Sequence, residues 1–299
     1  MSSPIAPSFA ECTARERLAH LLDAGSWHEW LPPAARVTSP HLAQLGVPCA
    51  FDDGVAIGRG RLGGHPIFIA AQEGAFMGGG VGEVHGAKLV GLLRRALIER
   101  PDAVLLLAES GGVRLHEANA GLIAVSEVMR ALLDVRAAGI PVLVLIGGAN
   151  GCFGGMGIVA RCADWVLMSD VGRLAMSGPE VIEASHGVEE YDARDRALVW
   201  RTSGGKHRWL CGDCDVLLED SVAAFRAAAL ERVQQARPVT RQSLEAEHRL
   251  LAERLQLLPK SVAGDEAQAL WERLGFQQAA RVPDLDVAEL HALRSQEGA

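Results

Sequence analysis

Short apolar runs alternate with helical patterns through the middle of the chain. Apolar runs at 67–71, 104–108, 142–146 and 165–169 follow one another, and the first three lead through loops of small residues into helical patterns. The predicted helices lie near 83–100, 115–138 and 154–163. Uninterrupted apolar runs of this length are typical of parallel strands buried on both faces. The pattern therefore predicts an α/β fold.

The two ends of the chain show other patterns. Ser8 and Glu11 have the spacing of a capping box, which predicts a helix that continues through Leu22. Residues 31–50 are rich in proline and lack periodicity, so we expect a loop there. A strand-like stretch that includes 55–60 follows.

Helical patterns dominate after residue 220, in 221–237 and 243–258, and more weakly beyond Pro259. Leu244, Leu251 and Leu258 lie seven residues apart, which fits either a seam for a partner or an intramolecular core stripe. The patterns predict three parts in sequence order. They are a flexible N-terminus (1–9), an α/β domain (10–220) and a helical C-terminal extension (221–299).

Charge and hydropathy exclude several classes of function. The net charge is −8 and the pI is near 5.7, which argues against nucleic acid or an anionic membrane as a partner. No apolar run approaches the length of about 18 residues that a membrane helix needs. The first residues lack the basic start and apolar core of a signal peptide. We therefore expect a cytoplasmic protein.

Six scattered cysteines do not predict a disulfide framework. Cys211 and Cys214 form a single CxxC motif, and His207 precedes it by four residues. Since a structural zinc site needs four ligands, buried thiols are the favoured interpretation and no metal is predicted.

A glycine-rich stretch at 74–82 holds five glycines just before a predicted helix. The dinucleotide fingerprint G-x-G-x-x-G fails there, because Glu83 or His85 stands where the third glycine belongs. The P-loop pattern fails as well, since His207 follows Gly205-Lys206. A nucleotide phosphate loop is therefore disfavoured.

Ser110 is a candidate nucleophile at the end of a predicted strand. No G-x-S-x-G elbow surrounds it, so a turn serine that caps the next helix is favoured over a serine hydrolase.

Paired glycines follow two successive strands, at Gly111–Gly112 and Gly154–Gly155. The carboxyl ends of parallel strands meet at the edge of the sheet where ligands usually bind. Backbone N–H groups beside a helix start stabilise developing negative charge, and glycine lets a substrate approach closely. The pairs fit an oxyanion hole with one donor from each loop, or simply two tight turns.

Three segments together resemble a known family. FMGGGVGEVHGAK (76–88), SGGVRLHEA (110–118) and GCFGGMG (151–157) occur in this order, and residues 14–30 are similar to the family's amino-terminal segment. The set resembles the carboxyltransferase branch of the crotonase superfamily over roughly residues 10–220. The resemblance implies a crotonase-like spiral of ββα units. The four-cysteine zinc ribbon typical of acetyl-CoA carboxylase β subunits is missing.

Residues 178–209 are similar to the β-subunit family of biotin-independent malonate decarboxylases. This resemblance implies decarboxylation of a malonyl thioester, carried on an acyl carrier protein subunit, to acetyl thioester and CO2. The implied partners are a γ-type decarboxylase subunit and the carrier, whose CoA-derived prosthetic group is of the phosphoribosyl-dephospho-CoA type. No cofactor is expected to bind this chain directly. The alternatives are a carboxyltransferase β subunit of a biotin-dependent acyl-CoA carboxylase and, in another class, a non-catalytic scaffold subunit.

The resemblance also implies roles for single residues. The backbones of Gly111, Gly112, Gly154 and Gly155 would act as oxyanion donors. The substrate would meet Phe76, Met77, Gly78, Gly79, Gly80, Ser110, Arg114 and Cys152. Arg114 fits a carboxylate-orienting role and a structural ion pair equally well, and Lys88 fits a phosphate contact less well than a solvated helix face. The candidate proton donors are His85, His116 and Tyr191.

Overall fold

One mixed sheet forms the centre of the molecule in the computed structural model, which describes residues 7–238, 240–257 and 266–297. Within these ranges, seven strands lie side by side in sequence order. The strands are β1 (His28–Trp30), β2 (Val55–Leu62), β3 (His65–Gln72), β4 (Ala103–Ala108), β5 (Val142–Ile146), β6 (Trp165–Ser169) and β7 (Val216–Leu218). The first three pair antiparallel, and β3 to β7 pair parallel. The parallel strands predicted from the apolar runs are confirmed.

Helices cover both faces of the sheet. They are α1 (Ala14–Leu21), α2 (Pro40–Gln44), α3 (Glu83–Glu99), α4 (Ala120–Ala137), α5 (Gly155–Arg161), α6 (Pro179–His186), α7 (Arg196–Ser203), α8 (Gly205–Leu210), α9 (Val222–Arg232), α10 (Arg241–Leu257), α11 (Glu266–Arg273) and α12 (Val287–Glu297). Single 3-10 turns lie at Pro33–Ala35, Met77–Gly79, Leu115–Glu117 and Ala279–Arg281.

The core has two layers because side chains of a strand alternate between the faces of a sheet. In β4, Val104 and Leu106 pack with α3 and α4, whereas Leu105 and Leu107 pack with α1 and α9. All four side chains are buried. The sheet is therefore covered on both sides, and its carboxyl edge is left for ligands.

The N-terminal helix begins later than predicted. Thr13 is the N-cap, and it forms a capping box in which its Oγ1 accepts from the Glu16 N–H while the Glu16 carboxylate accepts from the Thr13 N–H. The Ser8 hydroxyl accepts from the Glu11 N–H at 3.1 Å and donates to the Asp220 carboxylate, but residues 9–11 form a turn and not the start of the helix. The prediction of Ser8 as the cap is wrong because a second, reciprocal pair lies five residues further on.

Phe9 corrects the prediction of a flexible N-terminus for its last residues. Its side chain is fully buried, and its ring centroid lies 4.1 Å from that of Phe225 in α9. Residues 1–6 lie outside the described part of the chain. Because α9 packs against the sheet, the apolar core continues past residue 220.

The proline-rich stretch 31–50, predicted to be a loop, contains the short helix α2. It begins at Pro40, and the Ser39 hydroxyl caps it by accepting from the His41 N–H.

In α10, Leu244 and Leu251 are exposed, so they do not form a core stripe, and Leu258 lies outside the described residues. No helix in the described part of the chain has the length and apolar character needed to cross a membrane.

Candidate active site

The loops after β3, β4 and β5 meet at the carboxyl edge of the sheet. Val81 pairs with Val113 and Ser110 pairs with Cys152, both in parallel bridges, so the loops continue beyond the sheet as a second short ladder. The Ser110 N–H donates to the Gly151 carbonyl at 2.8 Å. Backbone pairing thus fixes the loops that carry the predicted glycines.

The two glycine pairs lie against each other. A Cβ placed on Gly154 would lie 3.1 Å from the Cα of Gly112, and the φ angles of these residues are +58° and +129°. A side chain at Gly154 would be both strained and crowded. The structure therefore brings together the two loops that the sequence predicted to act jointly.

Two of the four predicted oxyanion donors are already occupied. The Gly111 N–H donates to the Gly78 carbonyl at 2.8 Å, and the Gly154 N–H donates to the Met176 carbonyl at 3.0 Å. A donor engaged in a backbone bond of this length is not available to a substrate oxygen. The assignment of these two N–H groups as donors is therefore corrected.

Gly112 and Gly155 are the predicted donors that remain, one in each loop. Among the described residues, the Gly112 N–H donates to the Ser110 hydroxyl alone, at 3.2 Å. The Gly155 N–H opens α5 and has no acceptor among the described residues. The first N–H groups of a helix lack intrahelical acceptors and lie at its positive end. The geometry narrows the predicted oxyanion hole to this pair.

Ser110 and Cys152 are buried parts of the loop framework. The Ser110 hydroxyl donates to the Gly112 carbonyl at 3.1 Å, which confirms a turn serine, although it shapes its own loop and does not cap a helix. Burial raises the pKa of the Cys152 thiol to about 12, so it remains protonated. Both side chains are fully buried, which corrects their assignment to direct substrate contact.

Arg114 forms a buried structural ion pair. Its guanidinium donates to the Asp53 carboxylate at 2.8 Å, to the Asp53 carbonyl at 2.7 Å and to the Glu117 carboxylate at 3.2 Å. It also lies 5.0 Å from the centre of the Phe76 ring. Since the side chain is buried and paired, it is not free to orient a substrate carboxylate. Of the two roles considered for Arg114, the structural ion pair is the correct one.

The glycine-rich stretch packs inwards. A Cβ on Gly74 would lie 2.3 Å from the Glu109 carboxylate, and one on Gly79 would lie 1.8 Å from the Glu109 carbonyl. The N–H groups of Gly79 and Gly80 donate to the carbonyls of Phe76 and Met77 at 3.0 and 3.1 Å, so they are not available to a ligand. Residues 76–78 are partly exposed, and their role as a binding wall stays a prediction.

Glu109 is the residue that the sequence interpretation missed. Its carboxylate is buried, forms an ion pair with Arg17 of α1 and accepts from the backbone and side-chain N–H groups of Asn150, both at 3.2 Å. It also occupies the space beside Gly148. One carboxylate thus joins the β4 loop, the β5 loop and α1. The signal was available, since an acidic residue that ends an apolar run predicts a buried charge with a partner.

The three candidate proton donors lie in different surroundings. His85 is fully buried against Gln72, and burial lowers its pKa to about 3, so it remains neutral and shielded. The Tyr191 hydroxyl is within 3.0 Å of the Thr202 hydroxyl. His116 is exposed in the turn after the β4 loop. Of the three side chains, that of His116 is accessible to solvent and to a substrate.

Lys88 is neither a phosphate ligand nor part of a solvated helix face. Its ammonium is buried and donates to the carbonyls of Asp52 and Val55 at 2.7 and 2.5 Å. Both interpretations of this residue are therefore corrected.

The CxxC motif lies under the C-terminal helices. Burial raises the pKa of Cys211 to about 11 and raises that of Cys214 further. His207 accepts from the Trp271 indole N–H at 3.1 Å, and burial lowers its pKa to about 3. Across the described ranges, no group of three or more His, Cys, Asp or Glu side chains has a geometry that could hold a metal ion. These thiols are buried core residues.

Comparison with known proteins agrees with this arrangement. The carboxyl transferase domain family matches residues 10–262. The malonyl-S-ACP:biotin-protein carboxyltransferase of Malonomonas rubra is 48% identical over 233 residues, which are 73% of each chain. The methylmalonyl-CoA carboxyltransferase 12S subunit of Propionibacterium freudenreichii subsp. shermanii is 30% identical over 71% of this chain and 38% of its own.

Among solved structures, a chain of a Pseudomonas malonate decarboxylase hetero-tetramer in complex with malonate superposes with a TM-score of 0.83. The two chains are 41% identical, and the match covers 90% of this chain and 98% of that one. The crotonase-like fold expected from the glycine motifs is confirmed. The chain belongs to the carboxyl transferase domain family and is similar, over nearly all its length, to a subunit of malonate decarboxylase.

Proposed function

We propose that this chain is the β-type subunit of a cytoplasmic malonyl-S-ACP decarboxylase and converts a carrier-bound malonyl thioester into acetyl thioester and CO2. The observation that carries the proposal is the contact between the loops of Gly112 and Gly155, which bring two available N–H groups to one edge of the sheet. The similarity to a malonate decarboxylase subunit supports the choice of substrate.

The chemistry requires stabilisation of an enolate. Loss of CO2 from a malonyl thioester leaves negative charge on the thioester oxygen. The N–H groups of Gly112 and Gly155 would donate to that oxygen, and each donor in such a site contributes about 3 kcal/mol. The positive end of α5 adds to this effect. A proton must then reach the carbanion, either from water or from the exposed His116.

A γ-type subunit would complete the site. Four large apolar side chains near the glycine loops are exposed, and Leu115 is 84% exposed; they are Leu115, Leu122, Ile123 and Met176. A set of exposed apolar side chains marks a surface that a partner covers. The related Pseudomonas enzyme is a hetero-tetramer. The proposal is that the partner packs here and closes the mouth of the site.

The acyl carrier protein would deliver the thioester on a CoA-derived arm of the phosphoribosyl-dephospho-CoA type. The half-exposed residues 76–78 lie beside the β4 loop, since the Gly78 carbonyl accepts from Gly111. They would form a wall for the arm where it enters the site. The chain itself would bind no cofactor directly.

Carboxyl transfer to a biotin carrier is the second candidate function. The relative from Malonomonas rubra is named for transfer from malonyl-S-ACP to a biotin protein, so it would share the malonyl substrate and the enolate. The two reactions differ in the fate of the carboxyl group, which leaves as CO2 in one and reaches biotin in the other.

Release of CO2 in the presence of avidin separates the two functions. The complex of this chain with its copurifying subunits would be given a carrier loaded with 14C-malonyl thioester, with and without avidin to sequester biotin. Decarboxylation predicts the same release of labelled CO2 in both samples. Loss of release with avidin would establish carboxyl transfer instead, and absence of turnover in both would reject the proposed substrate.

A further inference from the structure

A second cavity of about 520 Å³ lies beyond β6, between α7, α8 and the C-terminal segment. Its walls include the indoles of Trp200 and Trp271 and the side chains of Val282 and Pro283. The Lys206 ammonium donates to the carbonyls of Pro283 and Leu285 at 2.9 and 2.5 Å, which holds the C-terminal wall in place. The cavity is therefore preformed, and its size is that of a site for a small organic molecule.

This cavity is separate from the candidate active site. Arg173 lies between them, with its guanidinium 5.0 Å from the Trp200 ring centre and 5.5 Å from that of Phe153, and it donates to the Ala149 carbonyl at 2.5 Å. Trp271 and the rest of the C-terminal wall lie beyond residue 262, where the match to the family ends. The cavity thus lies between the shared domain and the segment that follows it.

Positive charge predominates at the cavity. Arg196 and Arg201 both line it, and neither forms a salt bridge with any carboxylate of the described chain. One carboxylate, that of Asp170, also lines the cavity, and burial raises its pKa. Two free guanidinium groups beside indole rings offer planar donors for an anionic group and an apolar surface for the body attached to it.

We propose that this cavity binds an organic anion, a carboxylate or sulfonate on a flat apolar body, with the anionic group on Arg196 and Arg201 and the body against Trp200 and Trp271. The composition of the lining carries the inference, since it combines two guanidinium groups outside any salt bridge of the described chain with two indole rings, and the Arg196 guanidinium lies 5.9 Å from the Trp200 ring centre. The proposal does not depend on the reaction at the glycine loops.

Calorimetric titration of the full chain with naphthalene-2-sulfonate tests the proposal. The neutral analogue 2-naphthol has the same ring system without the charge, so it is expected to bind at least tenfold more weakly. Arg201→Gln is expected to weaken sulfonate binding by about tenfold and to leave 2-naphthol binding unchanged. Because Arg201 has no ion pair to lose, the variant is expected to fold.

Arg94→Gln is the matched control. Arg94 lines a groove of about the same volume between α3 and α4, but its guanidinium pairs with Glu127 at 3.6 Å. The control removes the same charge and is expected to leave sulfonate binding unchanged. Equal binding of the two probes, full sulfonate affinity in Arg201→Gln, or an equal loss in both variants would overturn the proposal.

Discussion

The glycine-rich stretch 74–82 and the glycine pair of the β4 loop use bare backbone in opposite ways. At Gly74 and Gly79, the space that a side chain would occupy is filled by Glu109. At Gly112, no heavy atom lies within 4 Å of that position, and at Gly111 the nearest is 3.4 Å away. The stretch uses bare backbone for packing, and the β4 loop leaves the corresponding space open.

This difference teaches that glycine density does not locate an active site. Five glycines at 74–82 attract attention first, yet two of them serve a buried carboxylate and carbonyl. Gly112 and Gly155 each have an N–H group without a backbone acceptor among the described residues, and at Gly112 the position of the missing side chain is open as well.

The largest effect is expected for Gly79→Ala. The new methyl would lie 1.8 Å from the Glu109 carbonyl, and φ at this residue is +69°, so the loop cannot keep its position. We expect a loss of more than about 4 kcal/mol in the free energy of unfolding, measured by urea denaturation. Gly78→Ala has a similar φ of +63° with open space around it, and is expected to cost only about 1–2 kcal/mol. Equal losses would refute an inward packing role.

Glu109→Ala is expected to be the next most damaging change. It leaves the buried Arg17 guanidinium without its partner, which costs about 3–5 kcal/mol. Glu127→Ala removes an exposed ion pair with Arg130 and is expected to leave the urea midpoint nearly unchanged. If the two variants had the same urea midpoint, the contacts of Glu109 with α1 and the β5 loop would not stabilise the fold.

Gly112→Ala tests the open side of the comparison. The methyl meets no neighbour, but residues with a side chain rarely adopt a φ of +129°, so the β4 loop is expected to shift and carry the Gly112 N–H away from the thioester oxygen. We expect kcat/KM to fall about 100-fold, the effect of losing one oxyanion donor, and the free energy of unfolding to fall by about 1–3 kcal/mol. Gly111→Ala adds a methyl to the same loop at a residue whose N–H is already bonded to Gly78. It is expected to retain activity within a few-fold. A similar rate loss in both would point to general crowding of the loop.

Gly155 is unsuited to the same experiment. A Cβ there would lie 2.6 Å from the Val125 side chain in α4, so a bulky residue such as valine would disturb the packing of α5 as well as the donor. A loss of activity in that variant would not distinguish the two causes.

The elements of the fold were largely predictable, because each depends on local pattern. β5 has the predicted bounds Val142–Ile146, since five apolar residues between a proline and two glycines favour a buried strand. α3 begins at Glu83, where the glycines stop. The two loops of the site were also predicted, because strands that lie parallel bring their ends together.

The use of each polar group was not predictable, because it depends on residues far apart in the chain. Glu109 meets Arg17 across 92 residues, and Lys88 meets backbone carbonyls 33 and 36 residues away. Whether an N–H such as that of Gly111 is free depends on the conformation of another loop. Sequence pattern indicates which loops meet, and only the packed structure decides which groups remain available.

The pH dependence of stability tests the buried side of the comparison. Burial holds the pKa of His85, in the first turn of α3 behind the glycine stretch, at about 3, below the value near 6.5 of an unfolded chain. The unfolded state therefore binds more protons as the pH falls below about 6.5, and His85 and the similarly buried His207 each lower the stability by about 1.4 kcal/mol per pH unit down to about pH 3. Urea midpoints at pH 7 and pH 5 would measure this, and His85→Gln is expected to reduce the slope by one proton. If the slope were the same in His85→Gln as in the wild type, a group other than His85 would cause the loss of stability.

The smallest effect is expected for Ser110→Ala. The hydroxyl only joins the N–H and carbonyl of Gly112, and bonds of this kind contribute about 1 kcal/mol, so turnover should stay within about tenfold of the wild type. A serine nucleophile would lose roughly a million-fold on the same change. Because the deletion frees the Gly112 N–H from its one weak acceptor, the variant also measures whether that acceptor competes with the thioester oxygen. A slight gain in kcat with an unchanged KM would show such competition, and a million-fold loss would return Ser110 to the role of nucleophile.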